Sequence, residues 1–98
     1  MKLFLLLIFP LFALQGAPVK IAIIGDSISF GSGAKPISTN RYSTKLGVLL
    51  GKDYLVETFA ASSLCILRNA DRPFLKTPHF KKALDFKPDV AVITLGTN

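Results

Sequence analysis

The stretch Val19–Ser27, VKIAIIGDS, decides the fold. Val19, Ile21, Ala22, Ile23 and Ile24 make a nearly unbroken β-rich apolar run closed by Gly25. That is the pattern of a strand buried on both faces of a parallel sheet, not of one alternating between core and water. A second run of the same kind, Asp89–Gly96 (DVAVITLG), lies far along the chain. Between them Tyr54–Phe59 alternates, with Leu55, Glu57 and Phe59 on one side and Tyr54, Val56 and Thr58 on the other, and the charge of Glu57 suits a peripheral strand. Arg41–Leu50 carries Tyr42, Leu46, Leu49 and Leu50 at helical spacing, and Gly51 is placed to end the helix. His79–Phe86 reads as a shorter amphipathic helix with Phe80, Ala83 and Leu84 apolar, closed by Lys87 and Pro88. The order strand, helix, strand, helix, strand predicts an α/β protein of three αβα layers, with a parallel sheet of order 2-1-3 and right-handed crossovers.

The connections are unequal. Gly25–Asn40 is rich in glycine and serine and reads as a long loop. Ala60–Pro78 is another, holding Ser62, Ser63, Asn69, Asp71, Pro73 and a short apolar cluster at Leu64–Leu67, with room for a helical turn. Loops that follow parallel strands are where such sheets place their chemistry. In a 2-1-3 order the last strand is an edge, yet DVAVITLG has no polar face. Such a strand needs a neighbour. Residues 17–98 are therefore expected to be the N-terminal part of a larger domain, contributing the first three strands of its sheet.

The 98 residues are 50% hydrophobic and carry a net charge of +6, enough chain for one domain at most. Part of the apolar content is concentrated in Leu3–Leu14, LFLLLIFPLFAL, preceded by Lys2 and followed by Gly16 and Ala17. This is the three-part pattern of a secretory signal peptide over residues 1–16, implying a secreted or periplasmic protein. The run is interrupted by Pro10 and is shorter than the roughly 20 apolar residues of a membrane-spanning helix, so no stable span is expected after cleavage. Basic residues fall singly except Lys81-Lys82, so no stripe for nucleic acid forms. With one cysteine and one histidine the sequence offers neither an internal disulfide nor a metal site. Cys65, flanked by Leu64 and Ile66, reads as a buried inert thiol. Gly31-Ser32-Gly33 satisfies no phosphate-binding spacing, because Pro36 stands where a dinucleotide motif needs glycine and Ala34 precedes Lys35. No cofactor is implied.

Ser27 follows a Gly turn at the C-terminal end of the first strand, where open α/β sheets bind ligands. Gly96-Thr97-Asn98 brings an amide to the end of the last strand, and Ser62-Ser63 follows the second. A hydroxyl nucleophile beside an amide and a backbone N–H is the set that acyl transfer requires: attack on a carbonyl carbon, and donors for the negative oxygen that develops.

The same residues carry a resemblance. GDSIS at Gly25–Ser29, after VKIAIIG, resembles the nucleophile block of the GDSL, or SGNH, hydrolases; ITLGTN at Ile93–Asn98 resembles the block ending in Gly-x-Asn-Asp; and VETFAASS at Val56–Ser63 resembles the Asn-x-Gly-x-x-Gly block. The resemblance covers essentially all of residues 17–98 and implies a flavodoxin-like sheet and a serine esterase acting on ester or O-acetyl groups, on carbohydrates and among them sialic acids. It implies Ser27 as nucleophile and N–H donor, Asn98 as side-chain donor to the oxyanion, and the Ser63 N–H as third donor. Three positions depart from the pattern: Thr58 for asparagine, Ala60 for glycine, and Ser63 for the oxyanion glycine. The Asp-x-x-His element that supplies the base is not represented; His79 has Lys76, not Asp, three residues before it. Without it the 98 residues alone are expected to be close to inert. Two other readings stay open on this sheet order: a non-catalytic exported carbohydrate-binding or interaction protein, and a flavodoxin-like ligand binder.

Overall fold

The computed structural model describes residues 16–98. Apart from Gly16, the leader expected over residues 1–16 lies outside them. Val19–Gly25 forms strand β1, Tyr54–Ala60 forms β2 and Val90–Thr94 forms β3, all parallel, in the order β2-β1-β3. This is the order expected from the sequence, and it is that of the first three strands of a flavodoxin-like sheet. Gly25 pairs with Ala60 on one side and Thr94 on the other, so the three strands end level. At the opposite end the β1–β3 ladder extends by a reciprocal pair: the Asp89 N–H donates to the Lys20 carbonyl at 2.8 Å, and the Lys20 N–H to the Asp89 carboxylate at 2.8 Å.

Among the described residues four α-helices accompany the strands: α1 (Ser27–Phe30), α2 (Ile37–Asn40), α3 (Tyr42–Leu50) and α4 (Pro78–Phe86). α3 and α4 lie on opposite faces of the sheet. Ala22 and Ile24 cluster with Ala83 of α4, Phe74, Leu64 and Leu95, with Phe59, Phe80 and Phe86 packed around them. Thr58, which stands in register with Ile23 and so points the other way, is bonded through its hydroxyl to Ser43 of α3 at 2.6 Å. The αβα layering is thus set by the two-residue alternation of strands whose faces are both apolar.

Several local expectations are corrected. The first long helix begins at Tyr42, with Arg41 as its N-cap residue, and Leu49 points into solvent at 84% exposure. The side of α3 that meets β2 carries Ser43 and Gly47 instead; small residues there let the helix lie close to Val56. The Gly25–Asn40 loop contains α1 and α2. In the second long connection the helical turn is a 3-10 turn at Phe74–Lys76, and the apolar cluster divides, with Leu64 fully buried but Ile66 and Leu67 exposed. Cys65 forms an isolated bridge with Pro73 and is half-buried, not buried as expected.

β3 is exposed along its whole length. Beside it, on the α4 face, runs an apolar groove of ≈ 500 Å³ lined by Phe74, Phe80, Ala83, Ile93 and Leu95 among others. Among the described residues β3 is paired on one side only, with β1.

Candidate active site at the strand ends

Gly25 ends β1 under tight steric constraint. A β-carbon there would stand 2.1 Å from the Ser29 hydroxyl oxygen and 2.7 Å from that of Thr94, so only glycine lets α1 fold back onto the strand. Asp26 then caps α1: its carboxylate accepts the Ile28 N–H at 3.0 Å. The side chain is almost fully buried at 1% exposure, and a carboxylate so placed requires donors. Asn98 supplies another, its amide nitrogen standing 3.5 Å from the second carboxylate oxygen. Ser27 is the first residue of α1 and is half-buried. Its carbonyl accepts the N–H groups of Gly31 and Ser32, which closes the helix, while its own N–H has no acceptor among the described residues.

Beyond β2, Ser63 has φ 67°, in the left-handed region that favours glycine. The serine therefore stands in the backbone conformation of the residue type it replaces in the block it resembles, and the turn is kept at a cost of about 1–2 kcal/mol for its β-carbon. The Ser63 N–H, like that of Ser27, has no acceptor among the described residues, and its carbonyl lies 3.5 Å from the Cys65 thiol.

Asn98, past the end of β3, joins the pieces. Besides the long contact to Asp26, its amide donates to the Leu64 carbonyl at 3.0 Å. One side chain from the third strand end thus reaches the residue beside Ser63 and the residue beside Ser27. The three residues singled out from sequence come to one edge of the sheet. His79 is in the first turn of α4, half-buried, and makes no hydrogen bond to Ser27 among the described residues.

A group that sequence reading missed lies directly beneath. Ser29, at 0% exposure, is 2.7 Å from the Tyr42 hydroxyl and 2.8 Å from that of Thr94. These partners are 13 and 65 positions away in sequence, and no local spacing announces such a contact. Among the described residues no cluster of three His, Cys, Asp or Glu side chains with metal-binding geometry forms, and no helix is long and apolar enough to cross a membrane.

No protein-family model and no solved structure matches the chain. Among curated proteins, an acetylxylan esterase of Xylanibacter ruminicola is 40% identical over 80 residues, which is 82% of this chain and 17% of that protein. The chain thus spans about a sixth of the length of the curated relative it matches.

Proposed function

We propose that residues 17–98 are the nucleophile-bearing, N-terminal part of an exported SGNH-type ester hydrolase that removes acetyl groups from carbohydrates. Ser27 Oγ attacks the acetyl carbonyl carbon, the carbonyl π pair moves to oxygen, and the N–H groups of Ser27 and Ser63 and the Asn98 amide hold that oxyanion. The oxyanion then collapses, the carbonyl re-forms and the bond from the acetyl carbon to the sugar oxygen breaks, that oxygen leaving as a hydroxyl with the proton taken from Ser27. Water then adds to the acetyl-serine, acetate departs and Ser27 Oγ regains a proton. The observation that carries the reading is the Asn98 amide, which bonds next to Ser63 and next to Ser27 at once. Its 3.5 Å contact with Asp26 is at the weak limit of hydrogen bonding, so that N–H is the one an oxyanion would take over. The likeness to an acetylxylan esterase supports the acetyl-carbohydrate substrate class.

The proton of Ser27 needs a base. His79 does not bond to Ser27, and the base is assigned to an Asp-x-x-His element of the longer protein, in keeping with the much greater length of the relative. The 98 residues alone would then fall to about the 10³–10⁴ over water that binding and an oxyanion hole sustain.

The full-length protein is expected to release acetate from p-nitrophenyl acetate and from acetylated xylan, and Ser27→Ala to lower kcat by about 10⁴ or more. Undiminished release by Ser27→Ala overturns the reading. One observation favours a different reading, a carbohydrate-binding protein without turnover: a β-carbon stands at Ser63, where the resembling block has glycine. Glycan binding with no acetate release would establish it.

A further inference from the structure

Ser29 Oγ, fully buried, lies 2.7 Å from the Tyr42 hydroxyl and 2.8 Å from the Thr94 hydroxyl, and in each pair either oxygen can donate. The Thr94 hydroxyl also stands 3.5 Å from the Ile24 carbonyl. The three hydroxyls thus form a short buried chain. The chain ties three segments: α1 two residues after Ser27, the start of α3, and β3 four residues before Asn98. It also lies against the turn at Gly25, where there is no room for a methyl group.

We propose that Ser29, with Tyr42 and Thr94, is a positioning device for ester hydrolysis, fixing the turn that carries Ser27 relative to the strand end that carries Asn98. This rests on the reading of Ser27 as nucleophile. None of the three hydroxyls is spent on the substrate. Their part is to hold the attacking oxygen and the amide donor in one geometry, where a displacement of about 1 Å costs on the order of 10²-fold in rate. A device of this kind acts on kcat and leaves ground-state binding alone.

The test uses the full-length protein at a temperature where circular dichroism shows every variant folded. Ser29→Ala and Thr94→Val, the latter close in shape to threonine but without its hydroxyl, are expected to lower kcat by about 10- to 100-fold with KM within about twofold. Thr94→Ser returns the hydroxyl and is expected to recover most of the loss. Tyr42→Phe removes only the hydroxyl at the partly exposed end of the chain and keeps the proposal testable should Ser29→Ala fail to fold; a fall of about threefold or more is expected. Equal kcat in Thr94→Val and Thr94→Ser, or a rise in KM at unchanged kcat, overturns the positioning role. If Ser27→Ala abolishes acetate release while Thr94→Val and Tyr42→Phe are unaffected, the positioning role alone fails. If Ser27→Ala is itself active, the failure belongs to the assignment of the nucleophile.

Discussion

β1 and β3 are alike in composition and opposite in circumstance. From Ile21 to Gly25 β1 is buried throughout, while β3 is exposed along its whole length. β1 has a strand on each side and a helix over each face; β3 has β1 on one side and an open groove on the α4 face. Burial in a parallel sheet is conferred by neighbours, so an apolar strand states the burial it requires and not the burial it has. Beyond its ladder with β1 and the Asp89–Lys20 pair at the far end, β3 is held at its C-terminal end by Thr94 joined to Ser29, Leu95 in the core and Asn98 bonded to Leu64.

Substitutions can widen or close that contrast. Ile23 is fully buried at the centre of β1, and Ile23→Ala is expected to cost about 2–5 kcal/mol in urea unfolding. Gly25→Ala forces a β-carbon against Ser29 and Thr94 and is expected to cost about 1–3 kcal/mol by overpacking. Ile93, in register with Ile24 but 57% exposed, is expected to lose about 1 kcal/mol or less on change to Ala in the 98-residue chain. A loss approaching that of Ile23→Ala would mean that β3 is covered in solution, and the contrast would disappear. The smallest effect is expected at the second strand end. Ser63→Gly relieves the left-handed backbone but makes the unfolded chain more flexible, for a net gain of about 0.5 kcal/mol, with the N–H unchanged.

The strands were legible as apolar or alternating runs, and for two of them the environment was legible too: VKIAIIG between two strands, the alternating YLVETF at an edge. The placement of the candidate residues was legible as far as strand ends carry it, since parallel strands that end level bring Ser27, Ser63 and Asn98 to one edge. The face of α3 was not, because Ser43 meets Thr58 through a hydroxyl contact and Gly47 offers no side chain, while Leu49, one of the four apolar residues at helical spacing, points out. The left-handed turn at Ser63 was visible only through the glycine of the block it resembles, since serine itself announces no positive φ. The Ser29 contacts were hidden for a simpler reason: they form only after three separate segments have packed.

Covalent trapping shows whether Ser27 is an activated nucleophile at the meeting point of three strand ends. Full-length protein that releases acetate is treated with a serine-directed organophosphonate, digested and mapped by mass spectrometry. One adduct is expected, on the peptide containing Ser27, formed in step with loss of activity and absent in Ser27→Ala. Inactivation with the adduct on another residue, and Ser27 unmodified, would contradict it.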